Sequence, residues 1–191
     1  GCNDQSGVIC DEHAKEDARI SVIHKSNGGL VSARKAGTNR ATGEYIANVD
    51  GDDWIEKDYI ENFVKEIEIS RADIIWSVSH IKDYRNYRKL WLPEHIERIM
   101  LESQDAQGQL LQLAIGENGW QNDIECSNCM KCIQREIYCK AQNNVDDRIV
   151  HGEDFVCMII CLSLTKNICF MRNDGYHYVQ RESSIERNRG Q

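Results

Sequence analysis

The stretch that decides the fold is Tyr45-Ile46-Ala47-Asn48-Val49-Asp50-Gly51-Asp52-Asp53-Trp54. Ile46, Ala47 and Val49 mark a buried strand running from Tyr45 to Asp50, and the acids Asp50, Asp52 and Asp53 crowd its end. In open α/β sheets, ligands bind just beyond the carboxyl ends of the strands. Carboxylates gathered there repel one another unless a cation joins them, and Mg²⁺ or Mn²⁺ prefers such oxygen ligands and shares them with substrate phosphates. Gly51 permits a tight turn, so that Asp50 and Asp52 can converge on one ligand. The plainer reading is a solvated acidic turn in which Asp53 caps the next helix. The spacing alone is short and common, so the surroundings must decide.

Upstream, Ser6 can cap a helix running to about Asp17, and Ile20 to His24 reads as a short strand. Asn27-Gly28-Gly29 is a turn, and Leu30 to Arg40 reads as a helix. Downstream, Lys57 to Ser70 is the clearest helix, with Ile60, Phe63, Val64 and Ile67 forming one apolar stripe. Asp73 to Ser79 is the next strand. This β-α-β-α-β order predicts an α/β fold with a mostly parallel sheet flanked by helices.

The second half is less regular. Tyr84 to His95 is aromatic and basic and reads as a loop or irregular strands, and Ile96 to Ile115 reads as a helix interrupted near Gly108. Asn118 to Asn128 is polar and loop-like. Glu153 to Leu164 reads as a helix with Phe155, Met158, Ile159 and Leu162 on one face, and Ile168 to Gln180 as a strand pair or one long bent strand. The tail from Glu182 to Gln191 is charged.

Composition narrows the class. With 191 residues, 41% of them hydrophobic and 28% charged, the chain suits one globular domain. A single proline argues against a linker-rich or disordered protein. The net charge of −8 would repel a phosphate backbone, which argues against nucleic acid as a partner. A phosphorylated small molecule would need a bridging cation. The nine cysteines are odd in number and several lie in apolar periodic segments, which fits reduced thiols in a cytoplasmic protein. No signal peptide is visible, and the longest nearly apolar run, Phe155 to Leu164, is too short to span a bilayer.

Several motifs occur together in order. They are Val22-Ile23-His24-Lys25-Ser26-Asn27-Gly28-Gly29-Leu30-Val31-Ser32-Ala33-Arg34-Lys35-Ala36-Gly37, then Ala41-Thr42-Gly43-Glu44-Tyr45-Ile46, then Val49 to Trp54. In order and spacing they resemble the family 2 glycosyltransferases. Gly1 to Ser6 is similar to the end of that family's Asp-Asp-Gly-Ser-x-Asp segment, and Gly152-Glu153-Asp154 and Tyr176 to Arg181 also fit. The resemblance covers nearly all of the chain, most densely residues 1–60.

The resemblance implies the GT-A fold, a Rossmann-like α/β sandwich. It implies one partial GT-A domain over residues 1–191, with 1–90 as the nucleotide-sugar-binding half and 91–191 as the acceptor-side half. It implies transfer of a sugar, with inversion, from a nucleotide diphosphate donor, usually UDP-linked, to a glycan or lipid-linked acceptor, with Mn²⁺ or Mg²⁺ as cofactor. Carried over by position, Asn27, Gly28, Arg34, Asp50 and Arg181 would face the donor. Asp52, Asp53 and His177 would serve the metal, and Asp154 would be the general base. An acceptor hydroxyl is a poor nucleophile, and a positioned carboxylate takes its proton as the bond forms. Without the family context, Glu153 and Asp154 read simply as acids favoured in a helix's first turn, and Tyr176 and Tyr178 as alternating strand packing. Family-level expectation also places such proteins in the cytoplasm, at the inner face of the membrane by peripheral association, building surface glycans.

Three departures and one distraction stand out. Lys35 replaces the family's usual Asn, adding charge on the side of the phosphates, and Asn48 replaces a common apolar residue. The family's first strand and first nucleotide-contacting Asp would precede Gly1, leaving sheet backbone groups unpaired; a catalytically incomplete fragment or pseudoenzyme that only binds nucleotide-sugar is the resulting alternative. Cys126-x-x-Cys129-x-x-Cys132 raises a second, a metal-binding interaction module. The run lacks the further x-x-x-Cys-Pro of one iron–sulfur arrangement. Ser127 to Arg135 instead resembles the family's Trp-Asn-Lys-Leu-Tyr-Lys-Arg segment, with Asn128 and Lys131 in register and the cysteines in packed positions.

Overall fold

The computed structural model describes residues 3–91, 98–102 and 127–180. Two sheets carry the architecture. The larger contains β1 (Tyr45–Ala47), β3 (Ile74–Ser77), β6 (Arg98–Glu102), β7 (Lys131–Gln134) and β8 (Asn167–Met171), in the order β1-β7-β3-β8-β6. The smaller contains β2 (Trp54–Ile55), β4 (His80–Tyr84), β5 (Tyr87–Trp91) and β9 (Tyr176–Val179), in the order β2-β9-β4-β5. The helices are α1 (Ser6–Glu16), α2 (Gly29–Arg40), α3 (Tyr59–Ser70), α4 (Arg135–Asn144) and α5 (Glu153–Leu164).

Side chains alternate across the large sheet, as a pleated strand requires. Ile46, Ile74, Trp76, Ile133, Ile168 and Phe170 face one core, which α2, α4 and α5 cover through Val31, Tyr138, Ala141, Cys157, Met158, Cys161 and Leu162. Ile75, Cys132 and Cys169 face the opposite core, closed by Tyr59 and Phe63 of α3 and by Tyr176 of β9. The sandwich is therefore helices, large sheet, then α3 with the small sheet.

The predicted α/β class holds, but the mostly parallel sheet needs correcting. Among the described strands, β3–β8 is the parallel ladder of the large sheet, whereas β1–β7, β3–β7 and β6–β8 are antiparallel. Strands β1 and β3 do run in the same direction, as the β-α-β order implied. They are not neighbours, because β7 from much later in the chain lies between them. Residues from both the 1–90 and 91–191 stretches thus share one sheet.

Other departures have similar causes. Ile20 to His24 forms no strand; a strand needs a partner, and Nε2 of His24 instead lies 2.8 Å from Asp11. Helix α3 buries Tyr59, Phe63 and Glu66, while Ile60 and Val64 are 42% and 46% exposed. The stripe is rotated so that Glu66 turns inward, where the half-exposed Arg98 of β6 donates to it at 2.8 Å and gives the buried carboxylate a partner. That pairing lowers the pKa of Glu66, overriding the upward pull of burial. Residues 98–102, expected in a helix, are strand, since β8 offers them a ladder; the rest of the expected helix lies outside the described residues. Residues 80–91 form a β4–β5 hairpin, and β5 borders the small sheet with exposed Arg88 and Lys89, charges that discourage further strand pairing.

Candidate functional site

The acid turn follows β1 directly. The N–H of Asp53 donates to the carbonyl of Asp50 at 3.0 Å and closes the turn. Oδ2 of Asp53 accepts the Tyr176 hydroxyl at 2.6 Å, and Oδ1 accepts the N–H of Val179 at 2.9 Å. Asp53 therefore braces the turn against β9 and does not cap α3, whose N-cap is Asp58. Burial pushes the Asp53 carboxyl above its ordinary value, the Tyr176 and Val179 hydrogen bonds oppose this, and the neighbouring Asp52 and Asp50 charges add to the rise. Asp52 is exposed at the turn's tip.

The second acid comes from α5. Its N-cap Gly152 has φ +81°, a left-handed conformation open to glycine at little cost, so the chain can turn into Glu153 and Asp154. Arg34 of α2 reaches both acid sites. It pairs with Asp154, lies 3.6 Å from Glu153, and donates from Nη2 to Asp50 at 3.1 Å. Its side chain is only 9% exposed. Burial pulls the arginine's pKa down, but Asp154 and Asp50 outweigh it and leave it raised. Asn128 completes the arrangement, donating its backbone N–H to Oδ2 of Asp154 at 3.2 Å and its side-chain amide to Oδ1 at 3.0 Å. A cleft between these groups is lined by Asp50, Asp53, Ser127, Cys129, Met130, Asp154, Tyr176 and Tyr178.

The sequence candidates divide. Arg34, Asp50 and Asp154 meet in one network, with Asp52 and Asp53 on the same turn as Asp50. Asn27 and Gly28 sit in the turn that starts α2, where Oδ1 of Asn27 accepts the Gly29 N–H at 3.1 Å. A Cβ on Gly28 would fall 2.8 Å from Oγ of Ser32, so the turn has no room for a side chain. His177 pairs in register with Trp54, next to the acid turn. It is buried, Nε2 lies 3.0 Å from Glu56, Nδ1 lies 3.4 Å from Asp83, and its ring stacks on Trp54 at 3.5 Å. These contacts hold β9 against β2 and β4. Arg181 and Cys126 lie outside the described residues.

The departures from the family pattern also find places. Lys35 pairs with Asp147 at 2.6 Å and does not extend its charge into the Arg34 network. Asn48 donates to the carbonyl of Asn128 at 3.5 Å, a long contact that ties β1 to the loop beside Asp154. Cys129 and Cys132 are packed in the core, and burial pushes each thiol up to about 12, away from the thiolate that metals bind. Among the described residues, no group of three His, Cys, Asp or Glu is placed to hold a metal ion.

Sequence reasoning missed two contributors. Tyr176 is core packing and also a hydrogen-bond donor to Asp53. Asn128 was placed in register but on the acceptor side, and its contact with Asp154 spans two elements, so no local pattern announces it.

The α/β sandwich, with its sheets flanked by helices, is of GT-A type. The chain belongs to Glycosyl transferase family 2, whose profile matches residues 1–168. It is 47% identical over 75 residues to the uncharacterized glycosyltransferase EpsJ of Bacillus subtilis, covering 39% of this chain and 22% of that protein. It is 28% identical over 187 residues to the cholesterol galactosyltransferase of Borreliella burgdorferi, covering 97% of this chain and 51% of the relative. The fold matches the crystal structure of S. aureus TarS 1–349 in complex with UDP-GlcNAc with a TM-score of 0.70 at 16% identity, covering 96% of this chain and 48% of that TarS chain. The chain thus spans about half or less of the length of these proteins.

Proposed function

We propose that this chain carries the donor and catalytic surface of a glycosyltransferase that moves a sugar from a UDP-sugar to a hydroxyl of a glycan or lipid-linked acceptor. The observation that carries the reading is Arg34, which ties Asp50 of the acid turn to Asp154 at the mouth of α5. Donor-side and acceptor-side carboxylates thereby share one cleft. TarS, of the same fold, is solved with UDP-GlcNAc, and the relatives include proteins named for cholesterol galactosylation and chondroitin synthesis.

Asp154 takes the proton of the acceptor hydroxyl while that oxygen attacks the anomeric carbon and the bond to the diphosphate breaks. One displacement inverts the configuration. Asp52 and Asp50 would hold Mn²⁺ or Mg²⁺; burial is the main cause that raises the neighbouring Asp53, and the charges of Asp52 and Asp50 add to it, as fits a turn that a cation would relieve. A bound cation would neutralise charge growing on the leaving diphosphate. Asp53 shapes this end of the cleft from behind, since both its oxygens already accept protein donors. Asn27, Gly28 and Arg181 are proposed as donor contacts by their register with the family.

Work at the cytoplasmic face of a membrane, on a surface glycan, is the cellular setting this reading favours. Among the described residues no helix is long and apolar enough to cross a membrane. Calorimetry on the complete protein tests the donor site: UDP binding that depends on Mn²⁺ should disappear in Asp52→Ala, and unchanged metal-dependent binding would sink the assignment.

A further inference from the structure

We propose that Asn128 is the positioning residue for the Asp154 carboxylate, and that the Ser127–Lys131 loop exists to hold it there. This rests on the reading of Asp154 as the base. The two Asn128 donors reach the two different oxygens of Asp154, so together they fix the rotation of the carboxylate plane. Arg34 supplies charge to the same carboxylate but also serves Asp50 and Glu153. Asn128 is the contact devoted to orientation.

The loop is built as a support. Asn128 and Lys131 are each 1% exposed. The ammonium of Lys131 donates to the carbonyls of Ser127 and, at 3.1 Å, of Cys129, and lies 4.0 Å from the ring centre of Trp76. A cation is thereby placed under the backbone on both sides of Asn128. Met130 has φ +61°, a conformation costly for a side chain of its kind and kept where surrounding contacts over-determine it. Its carbonyl accepts the N–H of Ser77 at 2.9 Å, which anchors the loop to β3.

The amide can sit only one way round. Turned over, its carbonyl would face a carboxylate oxygen, two acceptors with no proton between them. In the orientation present, Oδ1 of Asn128 is buried without a hydrogen-bond partner. A buried acceptor left unpaired is a standing cost, accepted here so that the amide hydrogens point at Asp154.

The test uses the complete protein with UDP-sugar and acceptor. Asn128→Ala should lower kcat by at least about tenfold while KM for the donor and UDP affinity stay within about twofold, as expected when a reacting group is misplaced and not lost. In the Asp154→Asn background, Asn128→Ala should add nothing, because there is no base left to orient. Should Asn128→Ala not fold, Asn128→Leu, near in size and without a side-chain donor, carries the same comparison. Unchanged kcat in the Asn128 variant beside an inactive Asp154→Asn overturns the positioning role and leaves the base standing. A loss confined to KM or UDP affinity overturns it as well, by showing a merely structural effect. Full turnover in Asp154→Asn removes the base itself, and the positioning role with it.

Discussion

The two ends of the cleft solve opposite electrostatic problems. At the α5 end, Asp154 is met by Arg34 and by both donors of Asn128, so the protein supplies its own counter-charge. At the β1 end three acids stand together: Arg34 serves Asp50, hydrogen bonds from Tyr176 and Val179 hold Asp53, and burial keeps the Asp53 carboxyl above its usual range. The contrast teaches where each partner is expected. An end where one carboxylate meets several donors holds one group precisely; an end where three acids share one arginine is, on the proposed reading, where a cation and the phosphates it carries would bind.

The comparison can be broken most decisively at Asp154. Asp154→Asn keeps the shape and the donor site but removes the base, so transfer should fall on the order of 10²–10⁴-fold. Product formation from labelled UDP-sugar, read beside UDP binding by calorimetry, separates the two ends. Lost binding with lost turnover would mean that they are not distinct.

Arg34 comes next because it belongs to both. Arg34→Ala leaves Asp50, Glu153 and Asp154 without their buried cation and should cost about 3–5 kcal/mol of folding stability. Urea denaturation measures this, and a change below about 1 kcal/mol, the value of an exposed pair, would show that the link is superficial.

A third measurement concerns the support beneath the acid end. Burial, with Lys82 and Lys131 adding to it, lowers the pKa of His80 to about 4. His80 also packs its ring edge-on to Tyr178, which lines the cleft. The unfolded chain takes up this proton near its ordinary value, so the unfolded state binds more protons between about pH 6.5 and 4. Stability contributed by neutral His80 is complete above that window and is lost as pH falls through it, by roughly 2 kcal/mol at pH 4.5. Denaturation at pH 7 and 4.5 should show a smaller drop in His80→Gln than in the parent; equal drops would remove His80 as the cause.

The smallest expected effect is at Tyr176. Tyr176→Phe deletes the 2.6 Å hydrogen bond to Asp53 while preserving the ring in the core. A loss of about 1.5 kcal/mol is expected for a bond to a charged group. Thermal melts would register it, and a looser acid turn should raise KM for the donor more than it lowers kcat.

Much of the fold was legible because its signals are local. The acid turn after Val49, the helix from Glu153 and the strand around Ile74 follow from periodicity and turn chemistry within a few residues. What escaped depends on partners far along the chain. Glu66 takes a buried position because Arg98 reaches it, and residues 98–102 become strand because β8 offers a ladder. The site divides in the same way. Arg34, Asp50 and Asp154 could be named from motifs in register with a family. The contacts of His177 with Glu56, Asp83 and Trp54, and of Asn128 with Asp154, join separate elements and carry no local signal.

The placing of β7 between β1 and β3 sets a timetable for folding. Both flanking strands leave the ribosome well before Lys131–Gln134, and neither can form its antiparallel ladder until that segment arrives. Through that interval the buried faces of Ile46, Ile74 and Trp76 lie beside open strand edges, a state prone to mispairing and aggregation. The ladders of β8 and β9 are completed later still, since Asn167–Met171 and Tyr176–Val179 follow β7 in the chain. During synthesis β3 therefore keeps one open edge until residue 134 has emerged and the other until residue 171.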